Sequence, residues 1–351
     1  MNFQKILSVF ALALAIGTAA CTTTHQSVAD IGRKTDIWQN PAGSSPQSKL
    51  ADMKINESRG RLPATLGFIK AIVGENYSAD AEQKIDTFTY AHSIKRGYEK
   101  TTYQDTPYII PYLVPNSKGA VIVVSGGGYA YQTMDGGTGE SKDIAVKLNQ
   151  AGISAFVLHY RANPYHYPTP MLDLQRAVRY IKAHANEFGI HPDKISAIGF
   201  SAGGNLVATY VNIIQGKNHF PANYQVDNID KIDDSLVSVA MIYPALTYQY
   251  NVNMLFSLFD SQLVHNSVER AKLLQLTDLP QHINAKSVPQ FISYSKADGM
   301  VDYRGTERYI TSAKNKGVAV TVAEVQRQDH GYKPEHYWDR YIDFVLQHFE
   351  K

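Results

Sequence analysis

The residues best placed to do chemistry are Gly199-Phe200-Ser201-Ala202-Gly203-Gly204, a serine set among small neighbours. A serine hydroxyl is a weak nucleophile unless it is exposed, aimed and placed beside a base. A sharp strand-to-helix turn does the aiming, and it crowds the backbone so that only small residues fit around it. The flanking text suits that turn, with a short apolar strand at Ile195–Gly199 and a helix over Ala202–Ile214. Such a pattern arises by chance in about 1 chain in 100 of this length, so a plain glycine turn is the weaker reading. A second signal is Ser125-Gly126-Gly127-Gly128-Tyr129, directly after an apolar run ending at Val124. Glycines there let backbone N–H groups face a reacting carbonyl and, with the N–H of Ala202, hold the oxygen that becomes negative in the transition state. A phosphate cradle is the competing reading, and the weaker one, because no Lys-Ser/Thr follows and the spacing fits no dinucleotide fingerprint.

A serine nucleophile on such a turn needs an acid and a base that follow it in chain order. Ser295-Lys296-Ala297-Asp298 follows the apolar run Gln290–Tyr294, which puts Asp298 just past the carboxyl end of a strand, with Asp302 as its rival. Asp329-His330-Gly331 follows the last strand, leaving His330 on a loop free to project inward. The other histidines are worse placed: His159 ends a strand before the nucleophile, and His184 and His191 flank a helix. No histidine, aspartate or glutamate pair has metal-ligand spacing, so the chemistry calls for no metal and no cofactor.

These residues need a frame to hold them. Tyr108–Val114 reads as an edge strand, since Pro111 cannot donate a ladder hydrogen bond. Ala120–Val124, Ile153–Leu158, Ile195–Gly199, Leu236–Tyr243, Gln290–Tyr294 and Val318–Val325 read as buried strands. Helices are expected from about Glu140 to Gly152, from Met171 to Phe188 capped by Gly189, from Arg304 to Lys316, and from Pro334 onward. This alternation predicts an α/β fold with a mostly parallel central sheet and helices on both faces. The aromatic-rich stretch 245–288 is a candidate cap, and Leu62–Ile72 is a candidate short helix with no assigned role.

The chain has 351 residues, 44% of them apolar, and a formal net charge of +2, enough for one large domain over residues 61–351. No basic block suggests nucleic acid, and a small-molecule or oligosaccharide ester is the expected partner. Residues 1–20 carry Lys5 ahead of a short apolar run ending in small residues, as in a secretory signal peptide. Cys21, the only cysteine, resembles the lipidation site of a bacterial lipoprotein, so membrane association is expected only through an N-terminal lipid. Localisation to the bacterial envelope, or secretion, follows. Residues 21–60, rich in Thr, Ser, Gln, Asn and Gly, read as a tether. The mature domain has no cysteine pair to form an internal disulfide.

Together the motifs resemble the α/β-hydrolase superfamily, and within it the acetyl-esterase branch related to hormone-sensitive lipases and hemicellulose deacetylases. The likeness is carried by Val124–Tyr129, Leu158-His159-Tyr160-Arg161, Tyr167–Pro170 leading into Leu172–Val178, Gly199–Asn205, Ala297–Val301 and Asp329–Gly331. It spans about Tyr108 to Glu350. The resemblance implies that Ser201, Asp298 and His330 form a triad and that the amides of Gly127, Gly128 and Ala202 form the oxyanion hole. It implies a carboxylester hydrolase working through an acyl-serine, with acetylated sugars as the leading substrate class. A general short-chain carboxylesterase or lipase, a serine peptidase of related fold, and an inactive envelope binding protein are the alternatives. Two features depart from the family: Ser125 stands where His or Pro is usual, and the loop Gly216–Asp234 is long enough to be a candidate for reshaping the entrance.

Overall fold

The computed structural model describes residues 30–43, 50–94, 105–132 and 139–350. The signal segment and Cys21 lie outside the described residues. In chain order the described strands are β1 (Asp30–Ile31), β2 (Thr35–Asp36), β3 (Tyr108–Leu113), β4 (Ala120–Val124), β5 (Ser154–His159), β6 (Ile195–Phe200), β7 (Val239–Ile242), β8 (Gln290–Tyr294) and β9 (Val320–Glu324). They form one sheet in the order β1-β3-β5-β4-β6-β7-β8-β9, with β2 also on β3. From β5 to β9 neighbouring strands pair in parallel, and only β1, β2 and β3 run antiparallel to theirs.

The apolar runs are continuous because the sheet is covered on both sides. In β4, Ile122 and Val124 enter one core while Val121 and Val123 enter the other. The helices are α1 (Arg61–Ile72), α2 (Ala81–Thr89), α3 (Lys142–Gln150), α4 (Thr169–Ala183), α5 (Ala185–Phe188), α6 (Ala202–Thr209), α7 (Ser261–His265), α8 (Ser267–Leu276), α9 (Tyr303–Asn315) and α10 (Trp338–Phe349). Ile144 and Leu148 of α3 and Phe344 and Val345 of α10 cover one face, and Leu174 of α4, Leu206 of α6 and Tyr309 of α9 cover the other. Each such fully buried side chain contributes about 1.5–3 kcal/mol of transfer free energy. Helix α5 stops at Gly189, which takes the left-handed conformation at φ 64° while its successor's N–H returns to Ala185 O.

Four expectations change. Strand β3 is not an edge: β1 and β2 pair with it on either side of Pro111, where Gly32 N–H donates to Pro111 O at 2.8 Å. The proline is tolerated because its missing donor falls in the break between two short partners. Residues 30–43, expected in the tether, are therefore part of the folded body. Ile37 and Trp38 are buried, Trp38 meets Phe220 and Tyr224 edge-on, and the Arg176 guanidinium lies 4.6 Å from its ring centroid. That packing also absorbs the Gly216–Asp234 loop, whose Asp227 and Asp230 bind Arg176, and which lines no part of the cavity described below. Finally, the last helix begins as a 3-10 turn at Pro334–His336 and becomes α-helical only at Trp338.

Candidate active site

Ser201 ends β6 and starts α6 with φ 52°, a left-handed conformation that a non-glycine residue adopts at a cost of about 1–3 kcal/mol. Its N–H still bonds Ile242 O at 2.9 Å, extending the pairing with β7, and the chain then reverses into the helix. The reversal is tight: a Cβ on Gly203 would sit 2.3 Å from Val124 O. That contact explains why the turn demands glycine there.

Loops from three strand ends converge on this serine. Ser201 Oγ lies 2.9 Å from His330 Nε2, and His330 Nδ1 lies 2.7 Å from Asp298 Oδ2. Asp298 is fixed by its own turn, since Oδ1 accepts the N–H groups of Met300 and Val301, both at 2.9 Å, leaving Oδ2 for the imidazole. The rival, Asp302, is engaged elsewhere: it caps α9 through Arg304 N–H and binds the Arg304 guanidinium. Asp329, which sequence reasoning passed over, accepts from Gly299 N–H at 2.9 Å and from His330 N–H at 2.8 Å. It thereby ties the acid's loop to the base's loop.

Burial works against a charged His330, but Asp298 beside Nδ1, with Glu140 and Asp329 further out, outweighs it and raises the pKa above the ordinary 6.5. A general base must be unprotonated to take the serine proton. The expected pH–rate profile therefore loses activity as pH falls through this raised value, with the acid inflection of kcat/KM above 6.5. Initial rates on an aryl acetate across pH check this; an inflection well below 6.5 contradicts it.

The glycine-rich loop lies against the serine turn. Gly127 and Gly128 take φ 108° and 62°, and a Cβ on Gly127 would strike Tyr131 O at 2.1 Å. Tyr160 O–H donates to Ser125 O, and Tyr129 O–H donates to Asn205 Oδ1, whose amide donates to Ala245 O. These bonds hold the backbone of Gly127 and Gly128 beside the first turn of α6, where Ala202 has no intrahelical acceptor for its N–H. The helix's positive end adds to the preference for negative charge at this spot.

A cavity of about 520 Å³ opens over Ser201 and His330. Its apolar lining comes from Phe68 and Ile72 of α1, Met254 of the 245–288 stretch, and Met300; Glu140, Lys147 and Lys333 also line it. The roof thus has two sources, only one of which, the 245–288 stretch, was anticipated. Asn251 donates to Ile72 O and Met300 O, and Asn253 donates to Ala71 O, bolting the insertion to α1.

The fold, with a Ser–His–Asp arrangement at the carboxyl edge of its sheet, is of the α/β-hydrolase class. The chain belongs to the BD-FAE family, whose model matches residues 111–311, a span that includes Ser201 and Asp298. Among curated proteins it is 34% identical over 99 residues to the acetylxylan esterase of Xylanibacter ruminicola, covering 28% of this chain and 20% of that protein. It is 30% identical over 121 residues to the arylesterase of Saccharolobus solfataricus, covering 34% of this chain and 39% of the relative. The matches thus span well under half of these relatives. Among solved structures, the acetyl ester-xyloside bifunctional hydrolase from Caldicellulosiruptor lactoaceticus superposes with a TM-score of 0.62 over 93% of this chain and 98% of that one, at 21% identity, a likeness of fold.

Proposed function

We propose that the protein is a serine carboxylester hydrolase that removes O-acetyl groups from acetylated carbohydrates. The observation that carries this reading is the continuous chain from Ser201 Oγ through His330 to Asp298 beside the glycine-rich loop. In the reaction, Ser201 Oγ attacks the ester carbonyl carbon as its proton passes to His330 Nε2. The carbonyl oxygen, now negative, is held by the N–H groups of Gly127, Gly128 and Ala202. The C–O bond to the sugar breaks, and His330 gives its proton to the departing alcohol. Water, deprotonated by His330, then attacks the acetyl-serine; the acyl–Oγ bond breaks, His330 returns the proton to Ser201 Oγ, and acetate leaves. Asp298 holds the imidazole in the tautomer with its proton on Nδ1 and favours its charged form.

The small acyl group is suggested by the apolar wall. A Cβ on Gly128 would lie 2.6 Å from Phe68 Cζ and 3.3 Å from Met254 Cε, so these two side chains close down on the glycine loop. Met254→Ala is expected to raise kcat/KM for butyrate relative to acetate by about tenfold, the scale of one to two methylenes in an apolar pocket. Rates on matched aryl esters measure the ratio; an unchanged ratio removes Met254 from the acyl side.

The carbohydrate part is supported by the acetylxylan esterase relative and by the polar residues lining the cavity, where Asp143, Lys147, Lys333 and Glu335 offer partners for hydroxyl groups. Among the described residues no helix is long and apolar enough to cross a membrane. The N-terminal signal and Cys21 place the enzyme, in this proposal, in the bacterial envelope on a lipid anchor. The test is acetate release from acetylated xylo-oligosaccharides by the purified protein, with Ser201→Ala alongside. Release that disappears in the variant supports the assignment. If aryl acetates are cleaved but the sugars are not, the substrate class is wrong and a general short-chain carboxylesterase takes its place.

A further inference from the structure

The acid–base relay makes no use of Glu140, a carboxylate lining the cavity. Glu140 lies just before α3, far in sequence from every triad member, yet its two oxygens have separate tasks. Oε2 accepts Gly126 N–H at 2.9 Å, and Oε1 accepts Tyr243 O–H at 3.0 Å. Gly126 is the hinge of the glycine-rich loop: a Cβ built there would lie 3.0 Å from both Glu140 Oε2 and Ser201 Cβ. Tyr243 follows β7 with φ 38°, a costly conformation for an aromatic residue, and its ring stands edge-on to His330 with centroids 4.9 Å apart. Strain of this kind persists only where surrounding contacts enforce it.

We propose that Glu140 is a positioning residue of the active site, bracing the oxyanion loop through Gly126 and the base through Tyr243. The proposal rests on the Ser201–His330 relay. During attack the imidazole becomes positive, and Glu140 is then stabilised as an anion by the same charge it stabilises. Burial outweighs Gly126 N–H, His330 and Tyr243 O–H, and the Glu140 pKa stands above the ordinary 4.5. The other groups acting on His330 are Asp298, Asp329, Tyr243 and Ser201, with Tyr332 packed against Tyr243, and Glu140 is further neighboured by the buried hydroxyls of Tyr160 and Tyr337. Asp298 alone among these bonds the ring nitrogen opposite the serine, so Glu140 adds charge without replacing it.

The test compares wild type, Glu140→Gln, Tyr243→Phe and Ser201→Ala on an aryl acetate, with kcat and KM measured across pH. Glutamine keeps an oxygen for Gly126 N–H but removes the charge. It is expected to lower kcat on the order of tenfold, short of the loss of a whole oxyanion donor, with little change in KM. The acid limb of kcat/KM should move to lower pH, because His330 loses a neighbouring negative charge. Tyr243→Phe, which deletes only the hydroxyl, should lower kcat while leaving the acid limb nearly in place, and it carries the test if Glu140→Gln does not fold. A merely structural Glu140 would change the melting temperature and not the pH profile. Rates and profile of Glu140→Gln that overlay the wild type overturn the proposal, as does a Tyr243→Phe variant of unchanged kcat when the glutamine variant cannot be made. An inert Ser201→Ala beside an unaffected Glu140→Gln means that only the Glu140 role is wrong; an active Ser201→Ala brings down the relay and this proposal together.

Discussion

Ser201→Ala is expected to fold like the wild type and to lose a factor on the order of 10⁶ in kcat, as when the nucleophile of a relay acting as a unit is removed. Both parts follow from the geometry. The turn is held by backbone bonds, Ser201 N–H to Ile242 O and Asn205 N–H to Ser201 O, which an alanine keeps. The side chain supplies a hydroxyl bonded to His330, and among the described residues no other side chain bonds its Nε2. Melting curves and turnover of an aryl acetate measure the two halves separately. A variant retaining a tenth of wild-type activity would remove Ser201 from the chemistry, on the scale of losses expected for a nucleophile.

Asp298→Asn is expected to cost about 10⁴ in kcat with little change in stability. Asparagine still presents an oxygen to Met300 and Val301 N–H, so the turn survives. Its NH2 group then faces His330 Nδ1, which favours the tautomer with the proton on Nε2, the nitrogen that must accept the serine proton. Asp302→Asn is the matched control. Asn caps a helix as well as Asp does, and Asp302 faces α9 and Arg304, so its activity should match the wild type. The reverse ranking of the two variants would mean that the relay runs through the wrong acid.

The placement of the candidate site was legible because each of its three residues follows a stretch that reads as a strand. Ser201 follows Ile195–Phe200, Asp298 follows Gln290–Tyr294, and His330 follows Val320–Glu324. Parallel strands put their carboxyl ends on one edge, so sequence order alone brings these loops together. What escaped depends on partners remote in the chain. Residues 30–43 look like linker by composition, and Trp38 finds its place only against Arg176, Phe220 and Tyr224. The helix Arg61–Ile72 was legible as a helix, but its role as part of the roof depends on Asn251 and Asn253, nearly two hundred residues later. Glu140 gave no signal because a glutamate near a helix start is ordinary in its favourable interaction with the helix dipole. Asp329 was hidden for a related reason, since acidic residues beside a loop histidine read as solvated surface.

The central claim, that Ser201 is the nucleophile of this site, is tested most directly by mapping where a serine-directed phosphonate attaches. The protein is incubated with the reagent, digested, and its peptides weighed. The account predicts one adduct, on the peptide containing Ser201, forming in step with the loss of aryl acetate hydrolysis and absent from Ser201→Ala. Complete inhibition with the adduct on another residue, or no adduct while the unmodified protein hydrolyses the ester, would contradict it.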